Sequence, residues 1–109
     1  MKLLTKEIES RLPELYGTEN VKLEDKMVQV KFFTPWTSWT WYGVEYDPTA
    51  RRFWGLVDGQ EQEWGFFMLD ELEEISGPAG LKIERDLHFK PRKIKEIKEV
   101  KKEVMSDNP

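Results

Sequence analysis

Leu4, Ile8, Leu12 and Leu15 recur at spacings of three and four, the period of one α-helical face, while Lys6, Glu7, Glu9 and Arg11 fill the other faces. Thr5 stands where an N-cap belongs. Pro13 should end the regular helix near Arg11 or Leu12, and Gly17 to Asn20 reads as a turn. From Met27 the period drops to two: Val28, Val30 and Phe32 point one way, Gln29 and Lys31 the other, as a half-buried strand requires. Thr34-Pro35 closes it.

A second strand is expected from about Ser38 to Tyr46, with Trp39 and Trp41 on one face and Tyr42, Val44 and Tyr46 on the other. Either both faces are covered, or a bulge near Gly43 switches them. Arg51 to Val57 and Gln62 to Leu69 read as two further strands, separated by the turn pair Asp58-Gly59. Connections this short make the strands antiparallel neighbours, because parallel pairing needs a crossover of a dozen or more residues. Asp70 followed by Glu73 has capping spacing and predicts a short helix over Glu71 to Ile75, stopped by Ser76-Gly77-Pro78. Leu81, Ile83, Leu87 and Phe89 then alternate with charged positions, with Arg85 in phase with the apolar set and so in need of a partner. After Pro91, Ile94, Ile97, Val100 and Val104 form a stripe that predicts a C-terminal helix, although Arg92, Lys93 and Lys95 crowd its dipole-disfavoured end. That face must dock on the sheet, dock on a second copy, or fray.

Composition narrows the class. The chain has 109 residues, 39% hydrophobic, with five Trp and six Phe, which is material for one core and no room for two. Without Cys it has no disulfide framework, thiolate metal site or cysteine nucleophile. Met1 to Lys6 is too short an apolar stretch for a signal peptide, and no run approaches the roughly 18 apolar residues of a membrane span, so a cytoplasmic address is expected. The net charge of −4 hides an asymmetry: residues 1–89 carry 10 basic against 17 acidic side chains, a balance of −7, and residues 90–109 carry 7 against 4, a balance of +3. The expected organisation is an α+β domain over residues 1–90, a single antiparallel meander of four to five strands with an N-terminal helix and a short helix after strand four. A basic amphipathic C-terminal helix with a frayed tail follows over 91–109.

Most of the aromatic belt is core material. Trp36 and Trp39, beside a Thr- and Ser-rich turn, and Trp41 form a candidate platform for bases, sugars or a partner protein. Stacking on single strands normally comes with a basic groove, and the strands supply only Lys31, Arg51 and Arg52. Glu45 ends the second strand, and Glu84 and Asp86 flank Arg85 at the spacing that puts two acids on one strand face, where they can act as an acid and base pair or bind a hard cation. His88 is the one imidazole, no nucleophile-elbow motif frames a serine, and no glycine-rich phosphate loop is present. No metal ligand set and no cofactor motif is expected.

Lys31-Phe-Phe-Thr-Pro35, the Trp39-Thr-Trp-Tyr42 run leading to Glu45-Tyr-Asp47, Phe53-Trp-Gly-Leu-Val57, Glu71-Leu72 and Gly80-Leu-Lys-Ile-Glu-Arg-Asp86 with Phe89 and Pro91 resemble a bacterial family catalogued as domain of unknown function 2958. The likeness covers about residues 3 to 94; Trp54 and Trp64 depart from it, and the basic tail looks like an addition. The resemblance implies a setting on plasmids, integrative elements and phages, and brings no activity, cofactor or catalytic residue.

The expected function is that of a non-catalytic accessory protein engaging a protein partner, with candidate binding residues Trp36, Trp39, Trp41, Glu45, Glu84, Arg85 and Asp86. One alternative is an enzyme acting on a nucleotide or other small molecule through Glu45, Glu84 and Asp86 around a tryptophan-lined pocket. Another is a single-strand nucleic-acid binder using Trp36, Trp39 and the basic tail. The stripe on the last helix makes a homodimer a further expectation, and no membrane partner is foreseen.

Overall fold

The period-two segments pair as their short connections require. In the computed structural model, which describes residues 1–106, helix α1 (Lys6–Arg11) precedes strands β1 (Met27–Val28), β2 (Val30–Phe33), β3 (Thr40–Asp47), β4 (Arg52–Asp58) and β5 (Gln62–Met68). Helix α2 (Leu69–Glu74), strand β6 (Glu84–Arg85) and strand β7 (Arg92–Lys93) follow. The main sheet has five strands in the order β5-β4-β3-β2-β6, and β1 pairs with β7 in a two-stranded sheet. All of these pairings are antiparallel. The fold is α+β around an antiparallel meander, and no helix among the described residues is long and apolar enough to cross a membrane.

Thr5 caps α1, its hydroxyl accepting from the Ile8 amide at 3.2 Å, and the helix stops at Leu12 before Pro13. Helix α2 begins two residues before the expected start and has no side-chain cap. Asp70 is instead drawn to Arg51, whose Nε lies 2.5 Å from it, while Arg51 Nη2 meets Glu73 at 2.6 Å. An ion pair across the β4 entrance has displaced the local cap. Of the expected last strand, Glu84–Arg85 pairs with Phe33 and Phe32, and Lys82 forms an isolated bridge to Ser76. Asp86 then accepts from the His88 amide at 2.9 Å and turns the chain away.

Sheet register explains where the core lies. A shift between Gly43 and Glu45 makes Val44 the extra residue of a bulge. Both expected outcomes hold at once, because Trp41 to Tyr46 is also buried without interruption. Tyr42 and Val44 belong to one core, and the bulge carries Tyr46 across to join Trp41 in the other. A break at Gln29 does the same on the neighbouring strand: Val28 packs with Tyr42 and Val44, whereas Val30 and Phe32 face the opposite side, so the expected common face of these three is corrected.

The first core is roofed by the N-terminal segment and α2, with Leu3, Leu4, Leu69 and Leu72 on Phe32, Phe53 and Phe67. The second is roofed by the chain after Pro91, where the expected α-helix is absent. Ile94–Glu96 and Lys102–Met105 are short 3₁₀ turns, and the i→i−3 bonds Ile97 N to Ile94 O, Val100 N to Ile97 O and Val104 N to Lys101 O run through the segment. Apolar residues three apart suit three-residue turns that dip repeatedly onto a sheet, and cations at the segment's start oppose an α-helix dipole. Ile94, Ile97 and Val100 are buried against Tyr42, Val44 and Leu56 of the same chain. The apolar stripe behind the expectation of a dimer is therefore already occupied, and the expectation of a frayed tail, so far as it concerns the residues after Ser106, lies outside the described residues.

Candidate functional site

The tryptophan platform is divided by depth. Trp41 is 7% exposed and belongs to the first core. Trp36 is half-buried, with its ring laid on Gly77, where a Cβ would come within 2.3 Å of it. Trp39 is 39% exposed. A polar turn aims it: Thr34 and Thr37 share a hydroxyl hydrogen bond, the Trp39 amide donates to Thr37 Oγ1 at 3.1 Å, and the Thr34 amide donates to the Trp39 carbonyl at 3.1 Å. The indole tilts against Trp41 at 5.9 Å and lies over Gly59, where any Cβ would stand 2.5 Å from the ring. Gly59 thus lets the β4–β5 loop close under the ring, and a cleft of about 480 Å³ opens between Trp39, Val57, Gly59, Gln60, Glu61 and Glu63. Its wall is one fixed aromatic face and its rim is acidic.

Glu45 is placed differently. The bulge turns it onto the second face, opposite Trp54, and it is 4% exposed. Its carboxylate accepts from the amides of Tyr16 at 2.7 Å and Thr18 at 3.2 Å and from the Thr18 hydroxyl. Lys26, 5% exposed, donates from Nζ to the Thr18 carbonyl at 2.5 Å and to Thr18 Oγ1 at 3.0 Å. Two buried charges are thereby satisfied through one threonine, which is what makes their burial tolerable. Lys26 Nζ also sits 5.2 Å above the Trp54 ring, which stacks on Trp64 at 4.9 Å. Glu45 in this setting ties the Tyr16–Thr18 turn to β3. Tyr16 is held at φ 67°, in the left-handed region that costs a non-glycine residue about 1–2 kcal/mol.

Glu84, Arg85 and Asp86 sit at the far edge of the sheet, on β6 and just after it. The inward-phase Arg85 finds partners in the main chain, donating from Nη1 to the carbonyls of Lys2 and Leu3. Glu84 borders a cleft with Met1, Leu3 and Leu72, and Asp86 leaves the strand to pair with Lys31 at 3.5 Å. The two acids therefore border different clefts.

Of the seven candidate residues, Trp39 and Trp41 meet ring to ring, Trp39 also lines a shallow cleft with Asp86, and Trp39 is the most exposed of the three tryptophans. Glu45, Glu84 and Asp86 line three separate depressions, and among the described residues no three His, Cys, Asp or Glu side chains stand close enough to hold a metal ion. Tyr16, Thr18, Lys26 and Phe66 are the site residues that sequence reasoning missed. A lone lysine directly before a strand was the available signal for Lys26. Nothing local marked Thr18, whose role exists only across the 27 residues that separate it from Glu45. Burial pushes the Tyr42 phenol well above its ordinary value, and the nearby Glu99, Asp58 and Asp86 charges add to this.

No curated protein and no solved structure matches the chain. A family match covers residues 3–100, through the Trp39–Tyr42 run, the Glu84–Asp86 stretch and the C-terminal segment as far as Val100. The chain belongs to the family described as protein of unknown function DUF2958.

Proposed function

We propose that this protein is a non-catalytic binding protein, an accessory factor of a mobile genetic element, that engages a partner protein through the Trp39 cleft. The observation that carries the reading is an exposed indole fixed by its own turn, by Trp41 and by the glycine beneath it. Rigid aromatic anchors of this kind dominate binding energy in protein interfaces. Glu61 and Glu63 on the rim favour a basic segment in the partner and repel the phosphates of nucleic acid. Separation of Glu45, Glu84 and Asp86 weighs against acid and base catalysis by that set, because the chemistry needs both groups within reach of one substrate. The mobile-element setting rests on what the family resemblance implies.

The test is capture from a host lysate by the wild-type protein, by Trp39→Ala and by the double variant Glu61→Lys, Glu63→Lys. A specific partner captured by wild type and lost from both variants, with circular dichroism unchanged, supports the reading. Equal capture by all three, or turnover of a small substrate by the purified protein with no partner found, sinks it.

A further inference from the structure

We propose that the opposite end of the sheet carries a second recognition cleft, independent of the first, in which Tyr16, Trp54 and Phe66 receive one proline or aliphatic side chain from an extended segment of another protein. The cleft lies between Tyr16, Glu19, Lys26, Glu45, Trp54 and Phe66, with a volume of about 160 Å³. Pockets for drug-sized molecules run to about 300–1,000 Å³, so this one takes a single side chain rather than a nucleotide.

Its chemistry follows from what is already paired. Glu45 is engaged by Tyr16 and Thr18, and Lys26 by Thr18, so inside the exposed Glu19 carboxylate the ring surfaces are what the cleft offers to a ligand. Lys26 Nζ over Trp54 disfavours a second cation on that ring. An uncharged, compact side chain is left, and aromatic-lined grooves take proline in extended segments for the same reason. Glu19 at the edge of the cleft and Glu14 beside it are exposed on the turn that carries Tyr16, and they complement a Lys or Arg next to the buried residue.

Two independent features mark the rim. Tyr16 is 66% exposed and Phe66 48% exposed, in a domain whose other phenylalanines and tyrosines are buried or half-buried. Tyr16 also occupies a backbone conformation that glycine would take without strain, and the buried carboxylate of Glu45 holds it there. Strain maintained by its surroundings at an exposed aromatic residue is a mark of function.

The experiment is to pan a displayed library of random short peptides on the whole protein. Selected peptides should combine proline, valine or leucine with a neighbouring Lys or Arg. They should bind at least about tenfold more weakly to Tyr16→Gly and to Phe66→Ser, and equally well to Trp39→Ala, which separates this cleft from the first. Tyr16→Gly should melt no lower than wild type; if it does melt lower, Phe66→Ser, at an exposed position, decides the case. Enrichment of nothing above the display background, or of peptides that bind the Tyr16 and Phe66 variants as tightly as wild type, overturns the proposal.

Discussion

At the residue scale, the demands on single positions are set by neighbours far away in the chain. Gly43, Gly55 and Gly65 lie in one row across three strands, yet they are not equivalent. A Cβ on Gly55 would stand 1.9 Å from the Tyr42 carbonyl oxygen, inside the backbone of β3, whereas one on Gly65 would meet nothing within 4 Å. Gly55→Ala is therefore expected to cost about 3 kcal/mol or more, at the upper end of overpacking effects, and Gly65→Ala to lie within about 0.5 kcal/mol of wild type. Urea denaturation of both variants checks this, and equal midpoints would refute the packing account. Glu45 illustrates the same dependence. Its position at the end of a strand was legible in the sequence, but its burial was not, because the bulge that turns it inward is a property of the β3–β4 register.

At the element scale, the segment after Pro91 is the clearest departure from pattern reading. Its apolar spacing announced a buried stripe correctly and the wrong backbone, since positions 94, 97 and 100 suit an α-helix and a run of three-residue turns equally. What decides is the sheet beneath, which offers Tyr42, Val44 and Leu56 to repeated insertion. Trp64 and Gln62 on β5 anchor the segment: Trp64 Nε1 donates to the Val104 carbonyl at 2.6 Å, and Gln62 bridges Glu99 and Lys101. Trp54 and Trp64 stack on each other beside this anchor. At the segment's start Asp25 meets Lys95 at 2.9 Å and Lys93 at 3.7 Å. The hydrogen bond from Lys95 is the main cause that holds the Asp25 carboxyl below its ordinary value, aided by the Lys93 and Lys22 charges and opposed by partial burial. A carboxyl lowered in the folded state stabilises above its unfolded value of 3.8 and loses that contribution as pH falls through the lower folded value. Asp25→Asn should thus flatten the acid limb of the stability profile and speed exchange of the Ile94 amide, which donates to the Lys26 carbonyl. A pH profile and exchange rates identical to wild type would show that the anchor contributes nothing.

At the scale of the whole molecule, the sheet is covered on both faces by segments from the two ends of the chain. Leu3 and Leu4 close one core, and Ile94, Ile97 and Val100 the other. Each buried aliphatic side chain contributes about 1.5–3 kcal/mol, so the three C-terminal ones together are comparable with the total stability of about 5–15 kcal/mol typical of a domain. A chain ending at Pro91 should lose cooperative unfolding and bind a hydrophobic dye. If it melts as sharply as the full chain, the C-terminal segment is an accessory and not a roof. With both faces covered, Trp39 toward one end of the sheet and Tyr16 with Phe66 toward the other remain exposed.

The sequence by itself determined the meander, the N-terminal cap at Thr5, the α+β class and the family, because these rest on period, turn chemistry and residue runs that are local in the chain. It also marked Arg85 as a charge needing a partner. Only the tertiary structure decided that the partner is a pair of N-terminal carbonyls, that Val28 and Val30 serve opposite cores, that the last segment is a set of turns, and that Glu45, Glu84 and Asp86 stand apart. Each of those outcomes depends on register shifts and on contacts between residues distant in the chain, and a hydrophobic period is blind to both.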